Sequence, residues 1–76
     1  MKEMLETIAK FLVEDPSSVV VNEIEGEQTI ILELRVAPED MGRVIGKQGR
    51  IAQAIRTLVK AAAIKANKRV NVEIIE

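Results

Sequence analysis

The residues best suited to chemistry in this chain are Gly46 to Gly49, where two glycines flank Lys47 and Gln48. Glycine adopts backbone angles that other residues avoid, and it has no side chain to keep a ligand away from the backbone. Backbone amides at the start of a following helix lack partners within that helix and lie at its positive end, where anions bind. We therefore predict that these four residues, the glycine loop, contact phosphate.

Basic residues are concentrated around this loop. Residues 41–69 contain eight Lys or Arg and no Asp or Glu, whereas the whole chain has a formal net charge of −1. We expect Arg43, Lys47 and Arg50, the basic residues nearest to the loop, to bind phosphates. We interpret the more distant ones as solvated or as compensating a helix dipole; they are Lys60, Lys65, Lys68 and Arg69. The pattern indicates a local site for a polyanion on a slightly acidic protein.

Apolar residues beside the glycine loop add a second feature. Val44, Ile45 and Ile51 are predicted to form an apolar wall on which bases lie once their phosphates are held. Gly42 falls inside a predicted helix, where glycine is unfavourable, so it serves either close approach of a ligand or packing. Phe11 is the only aromatic residue, which excludes modules that stack bases on an aromatic platform.

Hydrophobic periodicity predicts the elements that position these residues. Helices are expected over about 2–13, 38–45 and 50–66, and strands over 19–24, 29–36 and 70–74. The apolar stripe of the third helix is predicted to be Ile51, Ile55, Leu58, Val59, Ala62 and Ala66. A two-helix crossover returns the last strand parallel to the second. We expect a three-stranded mixed sheet with helices on one face and with Ile31 and Ile75 exposed on the other.

The segment Gly42–Ile51, with Ile55 one turn later, resembles the signature of the KH domain, whose GxxG loop clamps single-stranded nucleotides. The α-β-β-α-α-β order is similar to the α+β type II KH fold, and the resemblance covers residues 1–76 as one domain. The chain most resembles small bacterial single-KH RNA-binding proteins of the KhpA family. The resemblance implies that the RNA-binding residues are Gly42, Arg43, Val44, Ile45, Gly46, Lys47, Gln48, Gly49, Arg50 and Ile51.

The resemblance also implies a function and partners. Single-stranded RNA is the expected ligand, and the expected role is that of an RNA chaperone or post-transcriptional regulator. The family forms homodimers and pairs with a larger KH-containing protein of the Jag (KhpB) family. The chain contains no Cys, and its N-terminal residues lack the apolar run of a signal peptide, so we expect a cytoplasmic protein without metal or cofactor. The neutral Gln48, at a position often glycine or basic in KH domains, makes the charge of the loop modest.

Two other functions remain open. A helix-turn-helix protein would read duplex DNA with Arg50, Gln53 and Arg56 on a recognition helix. A protein-interaction or dimerisation module would not need the loop at all. We do not expect an enzyme, because the chain has no His or Cys and shows no pairing of a nucleophile with a base.

Overall fold

Three strands and three α-helices make up the computed structural model, which describes residues 1–76. Their order is helix α1 (Lys2–Leu12), strands β1 (Val20–Glu25) and β2 (Thr29–Arg35), helices α2 (Met41–Ile45) and α3 (Arg50–Lys65), and strand β3 (Arg69–Ile74). This confirms the predicted α+β class and the α-β-β-α-α-β order. None of the helices combines the length and the hydropathy needed to cross a membrane.

Strand β2 is central in the sheet. It pairs antiparallel with β1 and, as predicted from the crossover, parallel with β3. The N–H groups of Arg69 and Ile75 donate to carbonyls on the β2 side at 3.0 and 2.9 Å. Because backbone groups alternate in direction along a strand, the N–H and C=O groups of Val70, Val72 and Ile74 point away from β2. Strand β3 therefore presents a free edge.

The core lies between the sheet and the helices. Ile30, Leu32 and Leu34 of β2 are buried, as their alternation predicts. The helices contribute Leu5, Ala9, Val44, Ile55, Val59 and Ala63 to the same cluster. Helix α2 has only five residues, too few for an isolated helix to be stable. Tertiary contacts such as the buried side chain of Val44 must therefore hold α2, and with it the glycine loop, in place.

The apolar stripe predicted on α3 is wrong at two positions. Leu58 is 52% exposed, and Ala66 is exposed beyond the end of the helix. The buried residues are instead Ala52, Ile55, Val59 and Ala63. Their spacing of three and four residues keeps them on one face, and two of them are alanines, whose small size gives them little weight in a hydropathy pattern.

The sheet face away from the helices is less exposed than predicted at two residues. Ile31 and Ile75 are both partly buried. Ile31 lies directly opposite Ile24 in the antiparallel pair, and side chains so placed cover part of each other. Ile24 itself remains largely exposed, so this face carries scattered apolar surface rather than a second core.

Candidate nucleic-acid interface

The glycine loop makes a tight connection between α2 and α3. The Gly46 N–H donates to the Gly42 carbonyl at 2.9 Å, which closes α2, and the Gly49 N–H donates to the Gly46 carbonyl at 3.1 Å. Gly46, Gln48 and Gly49 have φ values of 77°, 58° and 74°. These left-handed angles reverse the chain within the loop, so that α3 begins at Arg50 with no intervening linker.

The two loop glycines are required for different reasons. A Cβ atom added to Gly46 would lie 2.5 Å from Cγ1, 2.8 Å from Cβ and 2.9 Å from the backbone nitrogen of Ile51. Gly46 is therefore needed for the close approach of the loop to α3 as well as for its φ. A Cβ on Gly49 would meet no atom within 4 Å, so only its φ favours glycine. The surface at Gly49 is open to a ligand.

Two of the three basic residues predicted at the loop are free. Lys47 and Arg50 are exposed, and neither takes part in an ion pair. Gln48 is exposed between Lys47 and Gly49. No side chain caps the start of α3, so the positive end of the helix dipole faces the loop uncompensated. Positive charge and accessible backbone coincide at this point, as the sequence predicted.

Arg43 is not free, which changes its predicted role. Its Nη1 atom lies 3.2 Å from Oδ1 of Asp40, and its Nη2 atom lies 2.9 Å from Oε1 of Glu14. The guanidinium is thus bound to two carboxylates. Arg43 lies one turn before the loop in the chain, as expected, but the charge of its side chain is already partly compensated by these two carboxylates.

Asp40 is the residue that sequence reasoning missed. The helix predicted over 38–45 is shorter than expected, because Pro38–Asp40 is a 3₁₀ turn and α2 begins only at Met41. Asp40 is 2% exposed and is the one buried charged residue. The spacing of Asp40 and Arg43, which is typical of a helical ion pair, was the available signal.

The Asp40 carboxylate joins two distant parts of the chain. Its two oxygens accept the backbone N–H groups of Glu14 and Asp15, each at 3.1 Å. The hydroxyl groups of Ser17 and Ser18 donate to the Asp15 carboxylate and lower its pKa from the ordinary value. These bonds order the connection after α1, and Asp40 fixes that connection to the start of α2.

The predicted apolar wall has two members rather than three. Val44 is completely buried and cannot touch a base; its side chain belongs to the core because it points from α2 toward the sheet. Ile45 and Ile51 are only partly buried and pack against the edge of the core. They lie on either side of the glycine loop in sequence, and their remaining surface is accessible beside it.

Helix α3 borders the free edge of β3. Arg56 Nε donates to the Val72 carbonyl at 3.3 Å, which ties the helix to the strand. Further along α3 lies a cleft of about 290 Å³ whose lining includes Lys60, Lys68 and Arg69. These distal basic residues are therefore gathered at one place, although Lys68 also pairs with Glu25 at 3.0 Å.

Gly42 is not explained by packing. A Cβ atom at this position would meet nothing within 4 Å beyond the neighbouring helix backbone, and the residue is exposed on α2. Of the two explanations that the sequence left open, close packing is excluded. The explanation that remains for a glycine at position 42 is the close approach of a ligand to α2.

Two helices joined by a Gly-x-x-Gly loop and packed on a mixed sheet of this topology define a type II KH domain. The family model described as "KhpA/KhpB, KH domain" matches residues 2–74. The chain belongs to this family, as the resemblance in the sequence indicated. It is similar to RNA-binding protein KhpA of Clostridium acetobutylicum, with 73% identity over 99% of this chain and 100% of the relative. RNA-binding protein KhpA of Aquifex aeolicus is 53% identical over 100% of this chain and 96% of the relative.

Solved structures support the fold independently. Era from Aquifex aeolicus bound to GDP and AlF₄⁻ superimposes with a TM-score of 0.71 at 21% identity, over 96% of this chain and 28% of the Era chain. Era in complex with MgGDPNP and nucleotides 1506–1542 of 16S ribosomal RNA superimposes with a TM-score of 0.66 at the same identity and coverage. At this identity the likeness concerns the fold alone, and it confirms the type II KH architecture.

Proposed function

We propose that this protein binds single-stranded RNA by holding its phosphate chain at the glycine loop. One observation carries the proposal: the unpaired charges of Lys47 and Arg50 lie at an open, left-handed loop against the uncapped start of α3. Backbone amides and positive charge together favour phosphate. The KhpA relatives are themselves named RNA-binding proteins, which supports RNA as the ligand.

The RNA would run from the glycine loop between α3 and the free edge of β3. Bases would lie against Ile45 and Ile51. The outward N–H groups of Val70 and Val72 would donate to base edges, and the Val70 carbonyl would accept from them, since the Val72 carbonyl already accepts from Arg56. KH domains hold about four nucleotides in this way. Without aromatic platforms, contacts to bases are aliphatic and hydrogen-bonded, so we expect weak binding with limited base preference.

Short RNA contacts imply that the protein acts with others. One KH domain reads too few nucleotides to select a transcript, whereas two linked domains gain avidity. We propose that residues 1–76 form a single KH domain and that the protein acts in the cytoplasm as an RNA chaperone or post-transcriptional regulator. It would work as a dimer or together with a larger KH protein of the KhpB family. The fraction of an RNA that is bound would then depend on two associated KH domains rather than on one glycine loop.

The dimerising surface that we propose is the side of α3 around Leu58. This side chain is 52% exposed, and the exposed Ala54 and Ala61 lie beside it on the helix. Two positions separate Leu58 from Arg56, which places it on the opposite side of the helix. A second copy could therefore bind here without covering the free edge of β3.

Sedimentation equilibrium tests this surface. We expect the wild-type protein to dimerise and Leu58→Lys to be monomeric with an unchanged circular dichroism spectrum, because a charge at the centre of an apolar contact is costly to bury. A KhpB-family protein added to the monomeric variant should also fail to associate. If wild type and variant sediment alike, Leu58 is not part of the interface.

Competition between nucleic acids separates the KH function from duplex DNA reading. Arg56 is bound to the Val72 carbonyl rather than presented to a groove, which disfavours a recognition helix. A labelled ten-nucleotide RNA bound to the protein should therefore be displaced by unlabelled single-stranded RNA, and far less by duplex DNA at equal nucleotide concentration. Equal or better competition by the duplex would overturn the proposed function.

Gly42→Ala is expected to separate stability from binding. Alanine fits without a clash and is favoured over glycine in a helix, so the free energy of unfolding should rise by about 0.5–1 kcal/mol. If RNA approaches α2 closely here, affinity for single-stranded RNA should fall even though the protein is more stable. Thermal unfolding and RNA titration of the same sample measure both effects. A variant that is stabilised and binds RNA normally would remove Gly42 from the interface.

A further inference from the structure

We propose that Glu14 sets the RNA affinity of this interface by competing with phosphate for Arg43, while Asp40 holds the Arg43 guanidinium at the start of α2. This inference rests on the proposed function, since it concerns the same site. It adds to the interface Asp40, six positions before the loop, and Glu14 in the connection after α1, 32 positions before the loop.

Asp40 is a positioning residue in this arrangement. Its buried carboxylate accepts two backbone N–H groups from the connection after α1 and one bond from Arg43. A buried carboxylate with three donors is held in one place, because loss of any partner leaves charge unsatisfied. Through its bond to Nη1, Asp40 holds Arg43 at the start of α2.

Glu14 differs from Asp40 in being exposed. Its side chain is 78% exposed, and the Arg43 side chain that it contacts is 44% exposed. Ion pairs at such a surface are weak, because water screens them and ordering two long side chains has an entropic cost. A phosphate of an RNA that continues from the loop along α2 can therefore replace Glu14 at Nη2 of Arg43 without disturbing the bond between Arg43 and Asp40.

The competition has a consequence for salt dependence. On single-stranded RNA, each neutralised phosphate contributes about 0.7 to the slope of log affinity against log salt. With only Lys47 and Arg50 free, the slope is about −1.4. If Arg43 is fully available as a third partner, the slope approaches about −2.1. Glu14 should hold the wild-type protein nearer to the smaller value.

Glu14→Gln tests the competition with little risk to the fold. The change keeps the backbone N–H that Asp40 accepts and alters only an exposed side chain. We expect it to raise affinity for single-stranded RNA about twofold to fivefold at low salt and to steepen the salt slope toward about −2.1. The matched control is Glu39→Gln, which removes the same charge from an exposed residue that forms no ion pair.

A double-mutant cycle with Arg43→Gln tests whether the effect passes through Arg43. In that background Glu14→Gln should no longer change RNA affinity. If Arg43→Gln does not fold, the salt slopes of Glu14→Gln and Glu39→Gln are sufficient to test whether Glu14 competes with phosphate for Arg43. An equal gain from Glu14→Gln and Glu39→Gln, or no gain from Glu14→Gln, would overturn the inference.

The failure of this inference is distinguishable from failure of the proposed function. Substitution of the loop residues Lys47 and Gln48 by Asp tests the function and leaves the Glu14–Arg43 pair untouched. If that variant loses RNA binding while Glu14→Gln has no effect, only the competition is wrong. If that variant binds RNA normally, the loop is not the site and both proposals fall.

Discussion

The double variant Lys47→Asp/Gln48→Asp is expected to lose at least about tenfold in affinity for single-stranded RNA. It removes one positive charge and adds two negative ones at the tip of the glycine loop. Even with full water screening, each unit charge about 4 Å from a phosphate changes the energy by about 1 kcal/mol, and about 1.4 kcal/mol is a factor of ten. Fluorescence anisotropy with a labelled RNA at low salt measures the loss.

The fold should survive this substitution. Both side chains are exposed and neither forms a hydrogen bond or an ion pair with the rest of the protein. Lys10→Asp/Gln28→Asp is a matched control, because it makes the same two replacements at exposed positions outside the loop. It should retain most RNA affinity. Equal losses in the two variants would mean that overall charge, and not the glycine loop, governs binding.

Gly46→Ala is expected to have the largest effect on stability. The added Cβ atom would lie 2.5–2.9 Å from side-chain and backbone atoms of Ile51. Alanine would also have to adopt a φ of 77° with a ψ of 172°, a backbone region essentially confined to glycine that costs about 1–3 kcal/mol. We expect a loss of about 2 kcal/mol or more. In a domain of this size that lowers the midpoint of thermal unfolding by about 10 °C.

Gly49→Ala provides the comparison for this prediction. Its φ of 74° is almost the same, but its ψ of 13° places it in the left-handed helical region, where alanine costs about 1–2 kcal/mol. An added Cβ would meet no atom within 4 Å. Gly49→Ala should therefore show a milder conformational strain and no clash, with a fall in the unfolding midpoint of roughly half the size. If the two variants unfold at the same temperature, the close packing of the loop on Ile51 is not important for stability.

Much of this fold could be predicted from the sequence because its periodicities are local. The alternation of Ile30, Leu32 and Leu34 identifies the buried face of β2, and the crossover between β2 and β3 requires parallel pairing. The face of α3 was harder to assign. Leu58 is apolar but exposed, and only the packing that buries Ala52 and Ala63 decides which side of the helix is covered.

Some features of the candidate site could likewise be predicted from the sequence, and others could not. The glycine loop and the free charges of Lys47 and Arg50 could be predicted, since they depend on residues adjacent in sequence. The pairing of Arg43 with Glu14 could not, because it joins residues 29 positions apart and requires the buried carboxylate of Asp40 to bring α1 and α2 together. A charge that looks available in the sequence is already bound in the folded protein.

The most direct test of phosphate binding at the glycine loop is an NMR titration of ¹⁵N-labelled protein with a short single-stranded RNA. The largest amide shifts should fall on Gly46–Ile51, with smaller shifts at the outward N–H groups of Val70 and Val72, and they should diminish as salt is added. Shifts confined to the face around Leu58 or to the open side of the sheet around Ile24, with the loop amides unchanged, would contradict the account.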